Sequence, residues 1–418
     1  MALFRPLSSA SRGAALAVVF ACSTALPLAA QSLKEAVRIG TERDPTVEAL
    51  QRAVGRETTN IEIARDGKRP QLSISGATST TDEDPALTVT IRQVLLDWGQ
   101  VKSKIAAASH ARVKVVAQLK MAVEDLTLEI SELYLELETL QMKIAKTSDY
   151  IAFAERIEGH SRARVSAGLS DSAEIARARL EIARAEERMT QLLADQSITS
   201  SQIEFLIGQS LNSPGTPPNL AFTERFASSS SVISAIVIAP AYVEAKADLD
   251  ITTEGIKVAR AANKPKIMLQ AQGRQDLTGG RGRSGAIGIT AGVDLNATGF
   301  SGRAVLAAEQ DRDAAESRLK AVERDLQNSV RVYVEQIGVL RSNETSQRKQ
   351  LDQAREVLDA YEQQFVAGRR ELIDLLTTGR DHYETEIDQI ETYKERKHTE
   401  YAAAHSVGML GSLLFGSR

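Results

Sequence analysis

The sequence predicts a mostly α-helical chain carrying two membrane-type β-hairpins, built as one unit used twice. Three observations carry this. The segment Pro45 to Gly168 recurs in outline as Pro240 to Gly368. Each copy holds a long proline-free stretch with apolar residues at alternating steps of three and four. Ahead of each stretch lie two segments in which apolar and polar residues alternate singly. A duplication read from pattern constrains the architecture before any motif is interpreted, since both copies must fold alike.

The copies align through Pro45 with Pro240, Ile63-Ala64-Arg65 with Val258-Ala259-Arg260, and Pro70 with Pro265, all 195 residues apart. The separation becomes 200 residues at Gly99 with Gly299 and at Ala167-Gly168 with Ala367-Gly368. The change falls in the hairpin region, where insertions are best tolerated.

The first thirty residues read as a targeting segment. Arg5 and Arg12 form a basic start, Gly13 to Leu28 is mostly apolar, and Leu28-Ala29-Ala30 resembles a small-residue cleavage site. Ser23, Thr24 and Pro27 interrupt the apolar run, which favours a removed signal over a membrane anchor. The single cysteine, Cys22, lies inside it; Val19-Phe20-Ala21-Cys22 also allows a lipoprotein reading, which Phe20 fits poorly. The mature chain is therefore expected to lack both disulfides and thiol chemistry.

Ser32 to Asp66 is predicted helical, interrupted at Asp44-Pro45 and ended by Arg69-Pro70. Residues 71–80 and 86–95 then alternate. Leu72 and Ile74 share one face, as do Leu87, Val89 and Ile91, opposite Ser and Thr neighbours. Ile267 with Leu269, and Ile287 with Ile289, repeat the pattern in the second copy. A period of two marks half-exposed strands. Gly280, Gly282 and Gly285 have GxGxxG spacing, but between two strands they read as a hairpin loop and not as a dinucleotide site.

Leu126, Ile130, Leu133, Leu137, Leu140 and Ile144 form a heptad seam in the first long stretch. Leu351, Ala354, Leu358, Tyr361 and Phe365 form one in the second. Such seams imply left-handed supercoiling, and each helix would be about 100 Å long at ~1.5 Å per residue. The chain thus divides into a signal (1–30), a first repeat (31–208), a connector (209–231), a second repeat (232–413) and a tail (414–418). The first repeat holds a hairpin near 70–96, a long helix 99–165 and a return helix 172–207; the second holds a hairpin near 265–296, a long helix 300–366 and a return helix 371–410. The connector, rich in Ser, Pro and Asn, reads as non-helical.

Beyond the signal no apolar run is long enough for a transmembrane helix, so a membrane crossing must use strands. Four strands with open edges cannot persist in lipid, and closure needs several subunits. Leu72, Ile74, Val89, Ile91, Ile267, Leu269, Ile287 and Ile289 would face lipid, and the Ser/Thr/Gln side would face a wet pore. The competing reading is a soluble coiled-coil scaffold decorated with two surface hairpins. Charge excludes little: a net charge of −4 with no basic block gives no sign of nucleic-acid binding. The five histidines are scattered, with no HExxH, GxSxG or phosphate-binding loop, so neither catalysis nor a metal or other cofactor is expected.

Arg164-Val165-Ser166-Ala167-Gly168-Leu169, followed by Glu174-Ile175 and Ala178-Arg179, and Gln364-Phe365-Val366-Ala367-Gly368-Arg369-Arg370-Glu371-Leu372-Ile373-Asp374-Leu375-Leu376 resemble the helix–turn–helix tips of the TolC family of outer-membrane factors. Leu96-Asp97-Trp98-Gly99 resembles that family's strand-to-helix junction. The resemblance implies a homotrimeric α/β barrel in the outer membrane, extending into the periplasm, with twelve strands and twelve helices. It implies a passive exit duct served by a periplasmic adaptor and an inner-membrane transporter. The tip Gly368-Arg369-Arg370-Glu371-Leu372 leans toward type I protein secretion with an ABC-type transporter; a multidrug or metal efflux pump of RND type is the alternative.

By the same resemblance, Glu174, Phe365, Arg370 and Asp374 form an entrance gate, with Arg370 pairing Glu174 across inward turns and Asp374 in an acidic ring. Ala167, Gly168, Leu169, Ser170, Gly368 and Arg369 form the adaptor-gripping tips. Thr377 stands where a second acid is expected, and Phe365 where a tyrosine is expected. Plainer readings accompany these. Phe365 continues the seam and packs, Glu174 favours a helix N-terminus, Arg370 is a solvated charge, and both glycines end helices.

Overall fold

The computed structural model describes residues 32–77, 85–211, 214–226, 229–277, 283–293 and 302–416. The expected signal, the Asp82-Glu83-Asp84 turn, Gly280, Gly282 and Gly299 lie outside the described residues.

The first copy begins with α1 (Leu33–Arg43) and α2 (Pro45–Asp66). Asp44 separates them and caps α2 by accepting from the Val47 amide at 2.8 Å, with Pro45 at the first helical position. Strands β1 (Gln71–Ala77) and β2 (Ala86–Leu96) follow, then α3 (Gln100–Ser166) and α4 (Ser172–Ile207). After the connector, with its one-turn helix α5 (Phe222–Arg225), come α6 (Ser229–Ile238) and α7 (Pro240–Ala262). Strands β3 (Lys266–Asp276) and β4 (Arg283–Gly292), then α8 (Arg303–Val366) and α9 (Leu372–Ser406), complete the second copy, and α10 (Leu410–Gly416) closes the chain.

The four strands form one antiparallel meander in the order β1-β2-β3-β4. The two hairpins join through β2 and β3, with Val89 opposite Gly273 and Arg92 opposite Gln270. Register is regular except for a bulge at Val94/Leu96. The sheet has no packed core. Every residue of β1 and of β4 is exposed, and Leu72, Ile74, Ile287 and Ile289 are 63%, 63%, 80% and 69% exposed. Both outer strands are unpaired edges within one chain.

The helices start and stop for local reasons. Asp97 accepts hydrogen bonds from Gly99 and Val101 at the start of α3, and Gly99 there is left-handed at φ +85°. The matching left-handed glycine before α8 is Gly302, so α8 begins three residues after position 300. The first heptad seam is buried at Leu126, Ile130, Leu137 and Leu140 and half-buried at Leu133 and Ile144. The second is half-buried from Leu351 to Tyr361 and closes over only at Phe365.

The main core lies midway along α3 and α8 and at the C-terminal ends of α4 and α9, where Ile130, Tyr134 and Leu137 of α3 meet Ile203 and Ile207 of α4, Ile337 of α8 and Tyr401 of α9. Two expectations are corrected here. The connector is partly helical and packed: Leu220, Phe222 and Phe226 join this core. Lys397, 2% exposed, donates to the Pro217 carbonyl at 2.6 Å, and the Tyr401 hydroxyl donates to that of Pro218 at 2.7 Å. Residues 414–416 are not a free tail. The return helix ends at Ser406, Gly408 turns the chain at φ +65°, and α10 buries Leu410, Leu413 and Leu414. The Gly411 amide meets the Glu124 carboxylate at 3.2 Å; burial pushes that carboxyl's pKa above its usual range.

Candidate functional site: the paired helical tips

The two tips are built alike. Each long helix ends at an alanine, Ala167 or Ala367, followed by a left-handed glycine, Gly168 at φ +70° or Gly368 at φ +73°. Leu169 donates to the Arg164 carbonyl at 2.9 Å and Arg369 to that of Gln364 at 2.8 Å. These six-to-one bonds are the Schellman closure, which satisfies the orphaned last carbonyls and needs a residue tolerant of positive φ. Ser170 and the exposed Leu169 lead into α4, capped by Asp171 through the Ala173 amide at 3.3 Å. That hydrogen bond holds the Asp171 carboxyl below its ordinary pKa.

Side chains distinguish the tips. Phe365 is fully buried, among Ile157 of α3 and Leu372, Leu375 and Leu376 of α9. Its packing role is therefore realised. Arg370, in the turn just before α9, stacks its guanidinium 3.6 Å above the Tyr361 ring and reaches Asp374, in the first turn of α9, at 3.4 Å. Glu174 faces Arg164 at 3.8 Å. Within one chain, then, Arg370 and Glu174 are not an ion pair: Arg370 meets Asp374, and Glu174 meets Arg164.

Two further residues, Arg164 and Tyr361, belong to the site. Arg164 donates to the Phe365 carbonyl at 3.1 Å and lies 4.9 Å from the centre of its ring. It ties the end of α3 to the end of α8, across 201 residues of sequence. A tertiary contact of this kind leaves no local signal. Tyr361 was visible only as a seam position. The Nε of Arg164 and the Oε2 of Glu174 are buried without a hydrogen bond, and so is the Nε of Arg370. Closure by a few tenths of an ångström would pair the first two.

Behind the tips the helices are cross-linked by charge. Glu181, 6% exposed, gathers Arg184 at 3.0 Å, the Tyr150 hydroxyl at 3.3 Å and Arg380. Burial, reinforced by the Glu181 charge, pushes the Tyr150 pKa up to about 12. Arg156 forks onto Glu362 at 2.7 and 3.1 Å and holds that carboxyl below its usual range. Gly379 lets α9 approach α3: a Cβ there would lie 2.3 Å from the Phe153 ring. The site offers grip, stiffness and charge pairing. Among the described residues no group of His, Cys, Asp or Glu has the arrangement to hold a metal ion.

The fold and tips can be set beside known proteins. The family model described as "Outer membrane efflux protein" matches residues 40–209 and 234–408, one segment on each copy. No curated protein matches the chain. Among solved structures, the outer membrane protein VceC from Vibrio cholerae has TM-score 0.78 at 14% identity, over 90% of this chain and 96% of that one. A membrane protein from Pseudomonas aeruginosa has TM-score 0.76 at 18% identity, over 90% of both chains. The open-state MtrE channel of Neisseria gonorrhoeae has TM-score 0.72 at 17% identity, over 90% and 89%. These likenesses establish the fold, a duplicated TolC-like unit with four strands.

The Arg164 tie yields a prediction. Arg164→Ala removes a charge-assisted hydrogen bond of about 1.5–3 kcal/mol and unties α3 from the end of α8. Limited proteolysis of the detergent-solubilised protein should then cut at 167–171 and 367–370 at least several-fold faster. Equal cutting rates would show that the tie does not hold the tips.

Proposed function

The chain belongs to the outer membrane efflux protein family, so it is an outer-membrane channel protein and not an enzyme, and we propose that three copies form a passive exit duct for substrates handed over from the periplasm. The observation that carries this is the four-stranded sheet, whose outer strands β1 and β4 are exposed along their whole length and unpaired at their edges. In lipid each unpaired backbone group costs several kcal/mol, and pairing β4 of one copy with β1 of the next removes both edges. Three copies give twelve strands. Leu72, Ile74, Val89, Ile91, Ile267, Leu269, Ile287 and Ile289 share the face assigned to lipid, as the register requires.

The helices extend the duct by about 100 Å into the periplasm, with the tips at its far end. There Ala167, Gly168, Leu169, Ser170, Gly368 and Arg369 form the surface for a periplasmic adaptor. Arg370, Asp374, Glu174 and Phe365 belong to the entrance. Arg370 acts through Tyr361 and Asp374, Glu174 acts through Arg164, and Phe365 packs behind them. A passive duct holds no energy source, so an inner-membrane transporter supplies it. The tip sequence Gly368-Arg369-Arg370-Glu371-Leu372 favours type I protein secretion, with an ABC-type transporter.

Three outcomes are expected. Native mass of the detergent-solubilised outer-membrane protein should be that of a trimer; a monomer would remove the closed barrel. In planar bilayers Arg370→Ser should raise resting conductance several-fold, and unchanged conductance would refute its place in the gate. A deletion strain should lose one or a few proteins from the culture supernatant. An intact supernatant with heightened sensitivity to small toxic compounds would instead assign the duct to drug or metal efflux.

A further inference from the structure

Charge on the sheet lies on one face, except for Arg283 at the end of β4. Residues alternate sides along a strand, and paired residues share a side. Arg92 pairs with Gln71 on β1 and Gln270 on β3, and Gln270 pairs with Gly288. The side holding Arg92 therefore holds Ser73, Ser75, Thr88, Thr90 and Gln272. It also holds Lys266, Arg274 and Asp276. The other side is apolar except for Gln93, Gln275 and, at the end of β4, Arg283.

The charges on the polar side do not cancel. Asp276 is the one carboxylate among the described strand residues, and the Arg274 guanidinium donates to it at 3.3 Å. Arg92 is exposed, and its cross-strand neighbours are amides that offer no negative charge. Lys266 lies four residues along β3 from Gln270, so the two cationic levels are about 13 Å apart at ~3.3 Å per residue. The levels of Lys266 and Arg92 carry no counter-charge on the strands.

Orientation follows from solvation. Arg92 sits midway along β2, and a mid-membrane arginine on the lipid side costs about 2–4 kcal/mol. On the duct reading above, on which this inference rests, the polar side faces the lumen and every copy repeats it. We propose that the strand section of the duct is an anion-attracting collar, with Arg92 as its central ring and Lys266 as the ring at its periplasmic end. The collar takes solutes bearing several negative charges. Its field falls off over about 8–10 Å at physiological salt, so a polyanion must enter the barrel to feel it, and binding weakens as salt rises.

The test is current block in planar bilayers by full-length trimers, with inositol hexakisphosphate added to the chamber facing the outer mouth of the barrel. That solute reaches Arg92 without passing the tips. The wild-type current should be blocked, more strongly at low salt. Arg92→Gln should weaken block at least tenfold, Arg92→Glu should abolish it, and Arg92→Lys, which keeps the charge, should retain it. A conducting wild-type channel that ignores the anion, or an Arg92→Gln channel blocked as well as wild type, overturns the collar and leaves the duct standing. A wild-type protein that forms no channel sinks the duct and the collar together.

Discussion

The unpaired backbone of β1 and β4 is the constraint on which the rest of the molecule depends. A four-stranded sheet with no core on either face cannot be stable alone in water, because it buries too little apolar surface, nor in lipid, because its edge groups have no partner. Both problems disappear together when copies close into a ring. The chain must then hold its two hairpins side by side at a fixed register, so that β1 and β4 are presented as complementary edges. The β2–β3 pairing does this, and it is the seam between the two sequence copies. Duplication is thus part of the closure: one hairpin from each repeat makes a panel whose two edges differ and can join head to tail.

Holding that panel requires the helices below it to be stiff and locked to each other. The lock is midway down, where the connector crosses the bundle. Lys397 and Tyr401 bind the carbonyls of Pro217 and Pro218. A carbonyl in such a segment has no ladder partner, so a donor from a neighbouring helix must satisfy it. Burial lowers the Lys397 pKa, and the Glu138 carboxylate 3.5 Å away opposes that shift. Removing one partner of such a pair is strongly destabilising, although the pair itself contributes little net stability. Its value lies in fixing where the connector runs, and hence how the repeats are phased.

Much of this was legible in the sequence because periodicity survives without an alignment. The alternation in Leu72, Ile74, Val89 and Ile91, and the three-four steps from Leu126 to Ile144, report which side of a strand or helix is apolar. The tip glycines were legible because positive φ narrows the choice of residue. What escaped was tertiary. The connector looked like loop, since Ser, Pro and Asn say nothing of Lys397, which reaches it from α9. The residues from 414 read as a tail because a helix of seven residues is too short to show a period, though Leu414 is core. Gly379 gave no signal, since its reason is the Phe153 ring on another helix.

The tips show how a duplicated backbone acquires unequal roles. At the separation of 200 residues, Glu174 corresponds to Asp374, and each stands in the first turn of a return helix. Each carboxylate faces an arginine, yet from different places. Asp374 meets Arg370, four residues earlier on its own turn. Glu174 has Ser170 at that position and meets Arg164 from the preceding helix instead. The second copy has Gln364 where the first has Arg164. The backbone closure is the same in both copies, so the divergence is confined to side chains. Its consequence is directional: Arg164 reaches from the first tip to the Phe365 carbonyl of the second, and among the described residues no such bond reaches back from Gln364. The tie lies outside the links that Arg156 on Glu362 and Arg380 on Glu181 make between the two helix pairs, so it couples the two tips at the point where the copies have diverged.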